Sequence, residues 1–327
     1  MFSKRLHQVT RSGLMELGQQ KKWLHLYPED ENDFSAVTSG RQVFFHSSFS
    51  KVQSFVKKGF EGGAKLAGVF DCAVVHLPRS KALAKHLIFL GTKFAPEGIV
   101  YVDGAKTQGV ESILKAVSSL VPIAGQVSGS HGRLFWFLAQ NVFSSWKASC
   151  YKKIEGGFLT RAGVFSADHI DPASEFLADS MPNELVGTVA DLGAGWGYLS
   201  HRMLRNPGLS SIDLVEVDNV ALSCAKLNCD DERAVFYWRD IETWTTTRKY
   251  DHVVMNPPFH IGRKIELDLG KTFIQKAYSI LKKTGILWMG SNRHLSYEAM
   301  LSQLFTDFDE VAGDNRFKVL KASGTKG

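Results

Sequence analysis

Two stretches of this chain read as one strand written twice. Phe70-Asp71-Cys72-Ala73-Val74-Val75-His76-Leu77-Pro78 aligns with Tyr250-Asp251-His252-Val253-Val254-Met255-Asn256-Pro257-Pro258 at a constant offset of 180 residues. Downstream, Gly98-Ile99-Val100-Tyr101-Val102 matches Gly285-Ile286-Leu287-Trp288-Met289 at an offset of 187, so the second copy carries seven extra residues between its two strands. Val127-Ser128-Gly129 then resembles Val311-Ala312-Gly313, and Arg133-Leu134 resembles Arg316-Phe317. In the first copy the strand stops at Leu77-Pro78, Ser80 to Leu90 has helical spacing, and Ile99 to Val102 is a second strand. A strand, helix, strand unit demands a parallel sheet covered by helices. Matched segments in one order read as a duplication. The expectation is two tandem α/β domains, 1–150 and 155–327, parted near Gly156-Gly157, which break any helix.

The two copies are not chemically equal. His76 and Arg79 stand where the second copy has Asn256 and Phe259, and the position 180 residues before Asp191 falls in Arg11-Ser12-Gly13, with no glycine loop. Phe44, Phe45 and Phe55 look like core, but Gly62-Gly63 follows no convincing strand, and nothing before residue 70 carries a chemical signal. The N-terminal half should be catalytically empty, a module for substrate docking or folding support.

The second copy ends its strand in a rigid corner, Asn256-Pro257-Pro258-Phe259-His260. Neither proline donates a backbone hydrogen bond, and Pro257 pushes Asn256 away from helix into an extended conformation. An amide oxygen, a neighbouring carbonyl and the Phe259 ring suit a planar group bearing an NH2: two acceptors take its hydrogens while the ring stacks. A nucleobase fits. His260 reads as a structural or stacking residue, with general-base chemistry the lesser role. Arg263, Lys264, Arg316 and Lys318 are candidates for phosphate contacts and equally for solvated surface.

Upstream, Val186 to Tyr198 reads as a strand ending in Asp191, then Gly193, Ala194, Gly195 and Gly197. Glycines let the backbone approach a ligand without Cβ atoms in the way. A dinucleotide fingerprint needs its third glycine one residue later. Asp191 before the loop would accept from a ligand ammonium and repel a phosphate, which favours a zwitterion such as the methionine part of S-adenosylmethionine. About 20 residues on, where nucleotide-binding folds place a ribose-binding acid, the strand Ser211 to Asp218 offers Glu216, with Asp218 a rival. The strand Val235 to Asp240 follows, and Asp240 could take the adenine amino group.

With these residues in order, the C-terminal half resembles the class I S-adenosylmethionine-dependent methyltransferases. The whole chain resembles the small-subunit ribosomal RNA guanine-N2 methyltransferases of the RsmC type, through GVFS at 163–166, DLGAGWG at 191–197, NPPFH at 256–260 and RFKV at 316–319. The resemblance implies two tandem Rossmann-like domains, the N-terminal one degenerate and the C-terminal one built on a seven-stranded, mostly parallel sheet. It implies methyl transfer from S-adenosylmethionine to the exocyclic N2 of a guanine in 16S-type ribosomal RNA, with Asn256, Pro257 and Phe259 at the target and Asp191, Gly193, Ala194, Gly195, Glu216 and Asp240 at the cofactor. The rival readings are adenine-N6 or protein glutamine-N5 methylation, which more usually carry NPPY, and a non-catalytic RNA-binding or assembly protein with a vestigial pocket.

Composition bounds the rest. Hydrophobic residues make up 44% and charged residues 22% of 327, typical of a soluble globular protein. No apolar run approaches the roughly 20 residues that span a bilayer, and the N-terminus lacks an apolar signal region, so the expectation is a cytoplasmic enzyme or binding protein without a membrane partner; a monomer is expected. Cys72, Cys150, Cys224 and Cys229 have no partners at metal-ligand spacing and read as reduced thiols, with no structural metal. The net charge of +6 leans toward a polyanion such as ribosomal RNA, although no Lys/Arg block stands out.

Overall fold

The computed structural model describes residues 2–11, 21–29, 40–148, 151–258, 260–261, 264–265 and 267–326. Of the residues singled out above, Ser12, Gly13, Cys150, Phe259 and Arg263 lie outside the described residues. The chain divides into two compact units, Met1–Cys150 and Tyr151–Gly327.

The first unit holds β1 (Lys22–Leu26), β2 (Arg41–Phe45), β3 (Glu61–Gly63), β4 (Cys72–His76), β5 (Ile99–Ala105), β6 (Gly125–Gly129) and β7 (Gly132–Leu138) in one sheet, ordered β3-β2-β1-β4-β5-β7-β6. The second holds β8 (Gly187–Leu192), β9 (Leu209–Glu216), β10 (Ala234–Trp238), β11 (Tyr250–Met255), β12 (Leu281–Asn292), β13 (Phe305–Gly313) and β14 (Phe317–Thr325), ordered β10-β9-β8-β11-β12-β14-β13. Position by position the two orders are the same. In each sheet five strands are parallel and the last two join antiparallel. This is the expected tandem Rossmann-like architecture.

Alternation explains the layering. Along β8, Val189 enters one core cluster while Ala190 and Leu192 enter the other, because successive side chains leave opposite faces. The same holds for β1, with Trp23 on one face and Leu24 and Leu26 on the other.

The region before residue 70 corrects the sequence reading. It contributes β1, β2 and β3, and Gly62-Gly63 lies in a strand. These strands are short, and β3 has no apolar residue, so pairing with β2 makes it a strand where its composition does not. The ladder registers also revise the alignment. His25 faces Val74 as Asp191 faces Val254, so the partner of Asp191 is His25, at an offset of 166. Arg133 faces Gly104 as Lys318 faces Ser291, so Arg133 corresponds to Lys318 and not to Arg316. Loops of unequal length between paired strands break any single offset.

Candidate active site

The C-terminal ends of β8, β9 and β11 deliver the site. Past Leu192 the chain turns through Gly193, Gly195 and Gly197, at φ 74°, 55° and 89°, into α6 (Tyr198–Leu204). A Cβ on Gly197 would stand 2.8 Å from the Cys229 sulfur, so packing as well as conformation demands glycine there. At Gly195 an added Cβ would meet nothing within 4 Å, so only the left-handed φ calls for glycine, and the backbone is left bare on that side. The loop is pinned by Gly193 N and Ala194 N donating to Val215 O at 2.9 and 3.2 Å. Buried Trp196 ties it to the GVFS segment by donating from Nε1 to Phe165 O at 3.1 Å.

The acids behave differently from one another. Asp191 is fully buried; its Oδ2 accepts from Ser200 Oγ at 2.6 Å, its Oδ1 has no partner among the described residues, and burial pushes its carboxyl up to about 6. Glu216 accepts from Gly195 N and Asp218 N, both at 2.8 Å, which braces the loop against β9, and burial pushes its carboxyl up to about 7. Asp218 caps α7 (Asn219–Asn228), accepting from Val220 N at 2.7 Å. Asp240 is half-buried past the end of β10 and accepts from Glu242 N at 2.9 Å in a turn.

Asn256 sits one residue beyond β11. Its Nδ2 donates to Asp171 Oδ2 at 2.9 Å and to Ser174 Oγ at 2.8 Å, while its Oδ1 is buried and has no partner among the described residues. Asp171 and Ser174 belong to the start of α5 (Pro172–Ser180), where Asp171 is the N-cap and Pro172 occupies the first turn. The cap signature of Asp171 followed by Pro172 marks that start in the sequence itself. Pro257 is buried, and the chain beyond the two prolines pairs His260–Ile261 with Lys264–Ile265 in a short antiparallel ribbon.

One cleft collects much of this: Gly193, Ala194, Gly195 and Asn256 line it, together with Trp196, Asp171 and Ser174. Phe165, which also lines it, is 58% exposed. Of the sequence candidates, Asp191 lies buried at the loop's root and Glu216 beneath Gly195, whereas Asp240 is not part of the lining. The sequence passed over Asp171, Ser174 and Phe165 as site residues. It also offered Lys318 to phosphate, but Lys318 is 4% exposed and its ammonium bonds Glu298. Arg316 is exposed. Among the described residues no group of three His, Cys, Asp or Glu could hold a metal ion, and no helix is long and apolar enough to cross a membrane.

The residues present suit S-adenosylmethionine. An orphaned, buried carboxylate oxygen on Asp191 lacks only a cationic donor, and the bare face of Gly195 admits a ligand close to the backbone.

Residues 155–321 match the family described as methyltransferase small domain. The chain is similar to the ribosomal RNA small subunit methyltransferase C of Psychromonas ingrahamii, at 30% identity over 77% of this chain and 75% of that one. It is similar to the enzyme of the same name from Shewanella amazonensis, at 28% over 89% and 84%. In structure it resembles the Thermus thermophilus 16S rRNA N2 G1207 methyltransferase in complex with AdoMet and guanosine, with a TM-score of 0.79 and 24% identity, over 98% of this chain and 91% of that one.

Proposed function

The chain belongs to the methyltransferase small domain family and, within it, to the ribosomal RNA small subunit methyltransferase C enzymes, and from that membership we propose that it methylates the exocyclic N2 of a guanine in 16S ribosomal RNA. It is an S-adenosylmethionine-dependent methyltransferase. The observation that carries the target chemistry is the buried Asn256 Oδ1, which has no partner among the described residues and belongs to a residue in the wall of the glycine-loop cleft. An unpartnered buried acceptor calls for a donor, and guanine N2 brings two hydrogens.

The guanine amino group is a poor nucleophile because its lone pair is delocalised into the ring. Asn256 Oδ1 and the Pro257 carbonyl accept its two N–H bonds and turn the lone pair out of conjugation. S-adenosylmethionine, when bound, supplies an electrophilic methyl on a sulfonium centre. On accepting that methyl, with the C–S electron pair kept by the departing thioether, the guanine nitrogen would release one proton to water. Holding the two reactants in line contributes roughly 7–11 kcal/mol by effective-molarity arguments. Asp191 serves the cofactor ammonium, Gly193, Ala194 and Gly195 its methionine backbone, Glu216 the ribose hydroxyls and Asp240 the adenine. Phe259 stacks on a base that is unpaired or flipped, since a paired A-form guanine offers no free face.

The N-terminal unit is proposed to dock the RNA. Residues 1–150 contain 18 Lys and Arg against 10 Asp and Glu, a formal +8, while residues 151–327 contain 21 against 23, a formal −2. All of the chain's excess positive charge therefore lies in the unit without the site, which fits a phosphate-binding role separated from catalysis. One chain supplies both parts, so the reading needs only a monomer in the cytoplasm.

Methyl transfer from tritiated S-adenosylmethionine to small-subunit particles, naked ribosomal RNA and protein, followed by nucleoside analysis, tests the reading. N2-methylguanosine is the expected product. Label in N6-methyladenosine or in protein would overturn it.

A further inference from the structure

The amide of Asn256 is held one way round, and the holding residues come from a helix cap 85 residues earlier in the chain. Both hydrogens of Nδ2 are used, one by Asp171 Oδ2 at 2.9 Å and one by Ser174 Oγ at 2.8 Å. Asp171 Oδ2 also accepts from Ser174 N at 2.9 Å, so the carboxylate is fixed by the first turn of α5. A carboxylate can only accept. Were the amide flipped, Asn256 Oδ1 would face Asp171 Oδ2 with lone pair against lone pair, and Nδ2 would lose both acceptors. The buried Oδ1 is thus left as the open function of the side chain.

We propose that Asp171 and Ser174 are positioning residues that set the polarity of Asn256, so that the site presents an acceptor to the target and selects an amino group over a ring nitrogen or carbonyl. This rests on the guanine-N2 reading above. It deepens that reading by assigning the selectivity for an NH2-bearing base to the cap of α5.

The test separates selectivity from folding. Asp171→Ser keeps a helix cap, because serine caps as well as aspartate, but its shorter side chain withdraws the oxygen that holds Asn256 Nδ2. Binding of RNA oligonucleotides carrying guanosine or inosine at the target is measured for wild type and variant, with kcat, KM and thermal midpoint. Inosine differs from guanosine only in lacking the amino group. The expected result is a wild-type preference for guanosine that falls by about tenfold in Asp171→Ser. In that variant kcat should drop about 10–100-fold while KM for the cofactor and the midpoint hold. Ser174→Ala, which keeps the carboxylate, should show the same change in preference at smaller size. Asp171→Asn, whose amide oxygen can stand in for Oδ2 on both Ser174 N and Asn256 Nδ2, should restore the preference. A preference unchanged in Asp171→Ser overturns the positioning role, as does a loss explained wholly by a lowered midpoint. A wild type that methylates no guanine or shows no guanosine preference fails the functional reading itself, and is distinguishable because it appears before any substitution is made.

Discussion

The two sheets share one strand order and diverge at the ends of three strands. Where the second unit has Asp191, Glu216 and Asn256, the first has His25, His46 and His76, counting along the strands from the matched ladder pairs. His25 Nδ1 stands 3.3 Å from His76 Nε2, and His25 Nε2 stands 2.7 Å from Gln42 Oε1. Tyr27 takes the position of Gly193 with a left-handed φ of 58°, and its ring stacks on His46 with centroids 4.5 Å apart. Asp103, where the second unit has Gly290, is locked to buried Arg5 by two bonds of 2.6 Å. Asp191 and Asn256 each keep a buried acceptor that has no partner among the described residues, while both oxygens of Glu216 are taken by backbone N–H groups. Of the imidazoles of the first unit, His25 and His76 face each other, while His46 accepts from Ser48 N and stacks on Tyr27 with its Nε2 unpartnered among the described residues; burial drives His25 down to about 4 and His46 to about 3, so they stay neutral. The comparison teaches that one strand order can end in two acids and an amide or in three imidazoles, so the chemistry at the strand ends is set by three side chains and not by the scaffold.

The harshest way to break the comparison is at the filled core. Asp103→Ala leaves Arg5 buried without its anion, which costs about 3–5 kcal/mol. Amide exchange should lose that much protection across β1, β4 and β5, while calorimetry finds cofactor binding intact. Weakened cofactor binding would show that the second unit leans on the first.

Next in size is the catalytic exchange itself. Removing a preorganised hydrogen-bonding group at a reacting centre costs about 10²–10³-fold in kcat, and Asn256→Ala should lose that much with cofactor affinity retained. The reciprocal His76→Asn should leave kcat at its wild-type value. If Asn256→Ala loses cofactor affinity in step with turnover, Asn256 belongs to the cofactor site and the contrast with His76 means something else.

Acid should then push the two units in opposite directions. Histidines whose folded pKa lies below the unfolded 6.5 bind protons mainly when unfolded, so the first unit loses stability as pH falls from 6.5 toward 4. Carboxyls raised to about 6 and 7 hold their protons more tightly in the fold, so the second unit, without cofactor, gains stability as pH falls from 7 toward 4.5. Between pH 7.5 and 5.5 the change is of order 4 kcal/mol for the three histidines and of order 2–3 kcal/mol for the two acids, with opposite sign. Exchange protection at both pH values, read separately in each unit, checks this. Parallel movement would sink the account of either the histidines or the acids.

The smallest effect concerns charge. Lys57→Glu with Lys58→Glu, both exposed in or beside α2 (Phe49–Lys57), should weaken RNA binding several-fold and flatten its dependence on salt. A matched change at exposed Lys226 and Lys283 in the second unit should do less. Equal losses would remove the docking role of the first unit.

Much of this was legible along the chain. The β-branched runs at 72–76 and 250–255, the prolines that stop the second and the glycine loop after Asp191 are local signals, read from neighbours a few residues apart. The first three strands were not legible, because β1 to β3 are short and take their conformation from the partners they pair with. Nor was Lys318, whose sequence context looks like surface and whose ammonium is claimed by Glu298 from another element.

By itself the sequence determined the duplicated strand plan, the glycine loop and the acceptor-bearing corner, since backbone bias and side-chain chemistry act within a turn or a strand. Only the tertiary structure decided which way the Asn256 amide faces and which histidines stand at the matching strand ends of the first unit. Asp171 and His25 reach their partners across 85 and 51 residues, over crossovers whose lengths no local pattern fixes.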